Sequence, residues 1–371
     1  MNILQSRLRD KLNKRQEEGR LRQLQKERDG IDIYSNDYLG FAKNKELNSR
    51  ILNLLNGHAE SIQGSTGSRL ISGNSDFTME VEGFIAAKHQ VESSLLFPSG
   101  YLANQTLFSI LPAKNDTIIL DEKVHRSVYD GCRLSLSNRW KFRHNDLNHL
   151  EDLLKKSNGQ VWVGVESLYS MDGDFAPLPE IAALCEKFAA ALIVDEAHAI
   201  GTFGLGFVNM FGLQKQVFAT LVTYGKAMGQ SGAAVLGSKV LIDYLINYAP
   251  GFIYSTGMPD FQAICVQESY HFLDENGLIV NKLQGNIKRF GRAMGLSMES
   301  FQSPIFPIRF KDVGIMEKAL RDLTNNGFLS CGIKTPTVPK GEEMIRVCVH
   351  SFNSEKEIDL LPDILKSYMN E

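Results

Sequence analysis

The stretch Leu192-Ile193-Val194-Asp195-Glu196-Ala197-His198 decides the fold. Three aliphatic residues in a row, apolar on both faces, read as a buried strand. The carboxylate that follows marks where its carboxyl end opens. Similar short apolar runs occupy residues 117–120, 161–165, 221–222 and 233–236, with helical patterns at 147–156 and 178–190 between some of them. Strands alternating with helices predict an α/β domain whose mostly parallel sheet is covered on both faces, with its chemistry at the strands' carboxyl ends. Working outward, residues 4–28 read as a polar-surfaced helix and 32–34 as a short strand. The turn-rich Ser35-Asn36-Asp37-Tyr38-Leu39-Gly40 comes next. After Pro250-Gly251 the rhythm changes to helices up to about 295. Strand-like runs at 305–310, 328–333 and 344–349 and a last helix near 354–369 complete a smaller α+β domain. The expected division is an N-terminal helix and arm (1–40), a large domain (41–250) and a small C-terminal domain (251–371).

Composition fits this size. At roughly 150 residues per domain, 371 residues make about two domains. Lys plus Arg is 40 and Asp plus Glu is 43, so a net charge of −3 gives no electrostatic support for general nucleic-acid binding. No apolar run is long enough to span a bilayer, and the N-terminus has no signal-peptide core. Asp10, Glu17 and Glu18 among the N-terminal Arg and Lys residues argue against a transit peptide. The five cysteines form no C-x-x-C pair, which fits free thiols in a reducing, cytoplasmic setting and predicts no metal site.

The residues after each buried run carry the chemistry. A carboxylate such as Asp195 at a buried strand end is costly unless paired, so a cation or a protonated ring is expected beside it. His198, three residues on, can face the same cavity. Alone, the segment fits equally a capping aspartate beside a satisfied core histidine. It also looks like a helicase Walker B box, but that needs G-x-x-x-x-G-K-[ST] upstream. The Gly225-Lys226 pair lies downstream, Thr220 stands at the first glycine and Ala227 at the hydroxyl position, so that reading fails.

In Thr223-Tyr224-Gly225-Lys226-Ala227-Met228-Gly229-Gln230-Ser231-Gly232-Ala233-Ala234 a single lysine sits among small residues after a buried run. A lone Gly-Lys is more often a surface loop. In a pocket, though, such a lysine can lose its proton and attack a carbonyl. Lys226 with the strand-end Asp195 and His198 suits pyridoxal phosphate: a lysine to carry it and an aspartate to keep its pyridine nitrogen protonated. Pro98-Ser99-Gly100-Tyr101 opens a helical pattern whose N-terminus can hold a phosphate. Asp121-Glu122-Lys123-Val124-His125 and Ser170-Met171-Asp172-Gly173-Asp174 follow two further runs and add polar groups.

Taken in order, these segments resemble the α-oxoamine synthases, a branch of the aspartate-aminotransferase-like (fold type I) pyridoxal phosphate enzymes. Gly64-Ser65-Thr66-Gly67-Ser68-Arg69, Ser72-Gly73-Asn74 and Tyr254-Ser255-Thr256-Gly257-Met258-Pro259 add to the resemblance, which covers nearly the whole chain. It implies that Lys226 carries the cofactor, Asp195 pairs with its pyridine nitrogen and His125 stacks on its ring near the substrate. His198 and Ser170 would reach the phenolic oxygen, Gly100 and Tyr101 would contact the cofactor, and Thr223 would help bind phosphate. Arg346 would hold the amino acid carboxylate. Asn36 would line the site, and Arg22 and Thr337 would face the acyl substrate. Members are homodimers, so Ser255 and Thr256 would serve the partner's phosphate.

Pro336-Thr337-Val338-Pro339 points, within the branch, to condensation of L-alanine with pimeloyl-CoA or pimeloyl-carrier protein. The products would be 8-amino-7-oxononanoate, CO2 and free thiol, as in biotin synthesis. Glycine with acetyl-CoA, or serine with a long-chain acyl-CoA, are the sister alternatives. The sequence departs from the family at Thr78, where relatives often carry histidine, at Tyr224, where phenylalanine is usual, and at Glu196, where aspartate is common. Ala199-Ile200 also replace a usual small pair.

Overall fold

The computed structural model describes residues 3–24, 26, 28–296, 303–335 and 337–369. The expected acyl-side residue pattern 336–339 is therefore described except for Pro336, which lies outside these residues. The strands are β1 (Ile31–Asp32), β2 (Ser93–Phe97), β3 (Thr117–Asp121), β4 (Asn138–Phe142), β5 (Val161–Glu166) and β6 (Ala191–Asp195). They continue as β7 (Val217–Thr223), β8 (Ala233–Gly237), β9 (Ile305–Arg309), β10 (Phe328–Leu329), β11 (Gly332–Ile333) and β12 (Met344–Cys348).

Seven of them form one sheet in the order β2-β8-β7-β6-β5-β3-β4. All neighbours pair in parallel except those of β8, which runs antiparallel to both β2 and β7. This is the mostly parallel α/β architecture expected. β3 and β5 are buried along their whole length and β6 nearly so, because crossover helices cover both faces. β4 escapes a search for apolar runs because it is an edge strand. Only Phe142 is buried in it, and Arg139 and Lys141 point to solvent, which discourages pairing with another chain. β2 is hidden for another reason: it opens on two serines, and Ser94 is satisfied by donating to the Glu82 carbonyl at 2.7 Å.

The C-terminal part holds the antiparallel sheet β11-β12-β9. The strand-like run expected at 328–333 is two short strands, β10 and β11, that pair with different partners. At the N-terminus the helix spans Ile3–Glu17 rather than 4–28, and Gly19 follows it at φ 64°, a conformation that ends helices. Ile31–Asp32, not 32–34, forms the strand. It pairs in parallel with β10, Ile31 opposite Phe328, and ties the arm to the C-terminal part.

Two apolar cores result. One fills the large sheet, around Phe97, Phe108, Val163, Val194 and Leu221. The other runs from Tyr38 and Phe41 of the arm past Tyr224 and Met228 to Phe306 and Val347. The loop that bears Lys226 is thus packed against the arm and against the C-terminal part at once.

Candidate active site

The carboxyl ends of β3, β5, β6 and β7 deliver side chains to one cavity of about 390 Å³. Its lining includes Gly100, Tyr101, His125, Ser170, Asp195, His198, Thr223 and Lys226. All eight were expected from the sequence, and the fold brings them together.

Asp195 ends β6 and is buried, with the Ala197 N–H donating to Oδ1 at 2.9 Å and the Asn104 amide donating to Oδ2 at 2.7 Å. Among the described residues its hydrogen-bond partners are therefore neutral, which leaves the cation or protonated ring expected beside it to be supplied by a ligand. The same Asn104 nitrogen donates to Ser127 Oγ at 3.1 Å, and Ser127 Oγ lies 2.8 Å from His125 Nδ1. The Ser127 backbone N–H also donates to that Nδ1, at 3.3 Å. With Nδ1 accepting, Nε2 is the protonated nitrogen of His125. One chain of hydrogen bonds thus fixes both the Asp195 carboxylate and the His125 ring.

Lys226 lies in the loop after β7. Burial pulls its ammonium below the ordinary range, the carboxylates of Asp195 and Glu166 oppose this, and Arg346 adds to the pull. The net direction is toward a neutral amine. His125 is lowered by burial against the attraction of Asp195, with Lys226 adding to the lowering. His198 is lowered well below its usual range by burial, then by Lys226, Arg346 and His125, and is a neutral ring.

The sequence reading missed Glu166 and Asn104. Glu166 ends β5 opposite Asp195 in register and is buried. Its Oε2 accepts from the Ser170 N–H at 3.1 Å, while its Oε1 has no partner among the described residues. Burial and the neighbouring Asp195 push it above the carboxylate range, against Lys226. A glutamate ending an otherwise apolar run was the available signal. Asn104 sits one helical turn inside the helix Gly100–Ile110, facing β6, and no local pattern marks it.

The residues fit pyridoxal phosphate. Ser99 caps the helix Gly100–Ile110 by accepting from the Leu102 N–H at 3.2 Å, so the helix N-terminus lines the cavity as an anion cradle. A Cβ at Gly100 would lie 2.4 Å from Thr223 Cγ2, so only glycine allows this approach. The orphan Glu166 oxygen and the half-buried Lys226 add unmet polar capacity in the same space.

The remaining expected residues fall into three places. Arg346, on β12, is buried beside the cavity. Its Nε donates to the Ser170 carbonyl at 2.6 Å, Nη1 to Cys348 Sγ at 3.0 Å and Nη2 to the Tyr38 hydroxyl at 3.2 Å. No carboxylate pairs with it among the described residues. Asn36 reaches the same cluster, accepting from the Tyr38 hydroxyl at 3.1 Å. Arg22 and Thr337 lie outside the cavity but meet each other, Arg22 Nη2 donating to Thr337 Oγ1 at 3.3 Å across 315 residues of sequence. Ser255 and Thr256 are not brought to the cavity of their own chain. They line a separate small pocket with Arg69 and Gly257, and Thr256 bridges to Ser68.

The departures from the family pattern also find places. Thr78 donates to Asp260 Oδ1 at 2.8 Å in a joint between two helices. The Tyr224 hydroxyl meets that of Tyr270 at 3.3 Å. Glu196 turns away from the cavity to accept from Ser167 Oγ and from the N–H groups of Phe207 and Val208, which closes the loop after β6.

A lysine, an aspartate and two histidines at the strand ends of one mostly parallel sheet, beside a glycine-opened helix, define a pyridoxal phosphate enzyme of fold type I. The chain belongs to the family described as aminotransferase class I and II, whose model matches residues 28–363, and within it to the α-oxoamine synthases. It is 36 % identical over 338 residues to the 8-amino-7-oxononanoate synthase of Marinobacter nauticus, covering 89 % of this chain and 85 % of that protein. It is 34 % identical to 8-amino-7-oxononanoate synthase 1 of Bacillus subtilis, covering 92 % of this chain and 88 % of that protein. Among solved structures it resembles the serine palmitoyltransferase of Sphingomonas wittichii, with a TM-score of 0.85, 26 % identity and 92 % and 87 % of the two chains covered. It also resembles the 8-amino-7-oxononanoate synthase of Francisella tularensis, with a TM-score of 0.78, 26 % identity and 92 % and 98 % covered. No helix among the described residues is long and apolar enough to cross a membrane.

Proposed function

We propose that this chain condenses L-alanine with a pimeloyl thioester, releasing CO2 and free thiol and forming 8-amino-7-oxononanoate for biotin synthesis. The observation that carries the reaction class is Arg346: a buried guanidinium, unpaired with any carboxylate among the described residues, bonded to the Ser170 carbonyl at the edge of the Lys226 cavity. A buried charge of this kind calls for an anion, and its planar fork matches a carboxylate. The choice of alanine and pimeloyl thioester is supported by the names of relatives at 34–36 % identity.

Lys226, Asp195, His125, His198, Ser170, Gly100, Tyr101 and Thr223 would hold pyridoxal phosphate. When bound, that cofactor supplies the electron sink that makes an α-proton labile and lets a carboxylate leave as CO2. The chain's own contributions follow from its geometry. Asp195, fixed by Asn104 and the Ala197 N–H, presents a stationary negative charge. Lys226, shifted toward its neutral form, can take a proton at Nζ and return it. His125, with its proton on Nε2, can donate to a thioester oxygen as charge develops there. Arg346 orients the amino acid, and Asn36 lines the same side. Arg22 and Thr337, already in contact, would receive the far end of the acyl chain.

A homodimer completes the reading. Ser255 and Thr256 lie away from their own cavity and would serve the partner's phosphate. The helix Ile3–Glu17 has no buried residue and leaves Leu8 and Leu12 exposed at 62 % and 53 %, a face suited to a second copy. The unpaired cysteines fit a cytoplasmic location. The division into arm (1–40), large domain (41–250) and small domain (251–371) is supported by a seven-stranded sheet lying wholly within 93–237 and a three-stranded one within 305–348.

Mass spectrometry of products after mixing the enzyme with alanine, serine or glycine and pimeloyl, palmitoyl or acetyl thioesters tests the proposal. Alanine with a pimeloyl thioester should be the best pair. Serine with palmitoyl-CoA as the better pair would move the chain to the activity named for its serine palmitoyltransferase neighbour.

A further inference from the structure

After β5 the chain doubles back at Ser170-Met171-Asp172-Gly173. The Tyr169 N–H donates to the Asp174 carbonyl at 2.9 Å and the Gly173 N–H to the Tyr169 carbonyl at 3.0 Å, which closes a tight hairpin. The stem is held from the end of β4: the Asn145 amide donates to the Phe175 carbonyl at 3.0 Å, and His144 Nε2 lies 2.6 Å from Asp174 Oδ2. The tip leans on the small sheet. Gly173 stands at φ 68°, and a Cβ there would lie 2.2 Å from the Ile305 carbonyl oxygen, so both backbone angle and contact demand glycine. The Ser170 carbonyl accepts from Arg346 Nε at 2.6 Å. Ile305 and Arg309 are the two ends of β9, and Arg346 pairs with Pro307 at its middle.

Asp172 sits at this tip, and its two oxygens take different partners. Arg309 Nη2 donates to Oδ1, and Lys123 Nζ donates to Oδ2 at 2.7 Å. Arg309 belongs to the ladder that carries Arg346. Lys123 lies in the turn after β3, two residues before His125, and its backbone N–H is fixed on Asp121 Oδ1 at 2.8 Å. One carboxylate therefore ties the turn that bears His125 to the sheet that bears Arg346. Its side chain is only 15 % exposed. Burial works against the charge, but Lys123 and Arg309 prevail and hold the carboxyl below its usual range. Ion pairs partly open to water contribute little to folding, so stability alone gives this arrangement small value. Its geometric effect is larger, because two substrates react only when their holders stand at a fixed separation.

Resting on the reading of Arg346 as the holder of the amino acid carboxylate and His125 as the donor to the thioester oxygen, we propose that Asp172 is a positioning residue that sets these two sites against each other. It lies outside the cavity lining and acts through its partners: Arg309 seats the sheet of Arg346, and Lys123 seats the turn of His125. Loosening this one carboxylate lets both substrate sites drift, while the cofactor side stays in place.

The test compares the unsubstituted enzyme, with pyridoxal 5′-phosphate bound, with Asp172→Asn, which keeps the shape and removes the charge. The KM for the amino acid and the KM for the thioester should each rise about fivefold, the upper end of what partly exposed ion pairs contribute. The change in kcat should be smaller, and the dissociation constant of pyridoxal 5′-phosphate should not move. Arg309→Gln should raise only the first KM and Lys123→Gln only the second. Arg309→Gln added to Asp172→Asn should change the amino acid KM little further. In the cofactor-free chain, the amides of 123–126 and 344–348 should exchange with deuterium about fivefold faster in Asp172→Asn. Unchanged KM values overturn the proposal even if the melting temperature falls, since a merely structural ion pair would do that much. Full additivity of Asp172→Asn and Arg309→Gln overturns it too, as does unchanged exchange in both segments. If Asp172→Asn fails to fold, Arg309→Gln and Lys123→Gln decide. An unsubstituted enzyme that turns over no amino acid and thioester pair defeats the functional reading instead, and the exchange measurement still judges Asp172.

Discussion

The two sides of the cavity are built differently. On the sheet side, Asp195, His125, Glu166 and Thr223 stand at or just beyond the carboxyl ends of adjacent strands, held by the ladder and by the chain from Asn104 through Ser127. On the opposite side, Arg346, Tyr38 and Asn36 come from the arm and the small sheet and meet across about three hundred residues of sequence. The sheet side is set by strand pairing and changes little with one side chain. The arm side is set by a few hydrogen bonds around one hydroxyl. On the function proposed above, cofactor chemistry would belong to the rigid side, and substrate choice to the side that few contacts define.

The sheet side is most sharply tested at Lys226. Lys226→Ala should abolish turnover, and borohydride reduction of the unsubstituted enzyme followed by peptide mapping should fix the cofactor to Lys226. A label on Lys215 or Lys239 would break the assignment of this side. Next in size is Asp195→Ala, which should cost several orders of magnitude in turnover while cofactor is still bound. Near-normal turnover would show that this side does not work through a fixed strand-end charge.

The same contrast explains what was legible in the sequence. Asp195, Lys226 and His125 each follow a short apolar run, so their place at one sheet edge follows from local pattern and the rule that parallel strands present their carboxyl ends together. Edge strand β4 was hidden because one of its faces is charged. β2 was hidden because it begins with serines. Glu166 ends an apolar run and could have been read; Asn104 could not, since its partner lies 91 residues away. On the arm side almost nothing is local. The helix expected to reach residue 28 stops at Glu17, and the joining of Tyr38 to Arg346 is a tertiary event with no sequence period behind it. There the family resemblance supplied residues, Arg346, Asn36, Arg22 and Thr337, that composition and spacing left silent.

On the arm side the largest effect is expected at Arg346. Lysine keeps the charge but not the fork, so Arg346→Lys should raise the KM for the amino acid by about ten- to a hundredfold while cofactor binding changes little. Equal losses on both measures would erase the distinction between the two sides.

A smaller effect probes the rigidity of the sheet side. His144 follows β4 and bridges Asp121 Oδ1 at 2.9 Å and Asp174 Oδ2 at 2.6 Å. Burial opposes its charge, but the two carboxylates prevail and raise it from an ordinary 6.5 to about 9. A histidine raised on folding stabilises fully below about pH 6.5, and the contribution disappears as pH rises through about 9. At about 1.4 kcal/mol per unit the shift sets a ceiling of about 3 kcal/mol, and solvent screening of a half-buried ring lowers the stability lost in urea unfolding across this window to roughly 2 kcal/mol. His144→Gln should flatten that part of the profile, and an unchanged slope would remove His144 from the account.

The smallest effect is expected at Arg22, the outermost point of the arm side. It is exposed, and its bond to Thr337 is long at 3.3 Å, so its loss should not disturb folding. Exposed charge contacts contribute little, roughly a few tenths to 1 kcal/mol. Arg22→Ala should thus raise the KM for pimeloyl-CoA by only about two- to fivefold. The informative quantity is the comparison with an uncharged acyl-CoA of similar length, which has no distal carboxylate to lose a partner. If both thioesters weaken equally, Arg22 serves the thioester end or only steadies the arm. A selective loss for pimeloyl-CoA places the far carboxylate at the Arg22–Thr337 contact and assigns substrate length to the part of the molecule held by the fewest bonds.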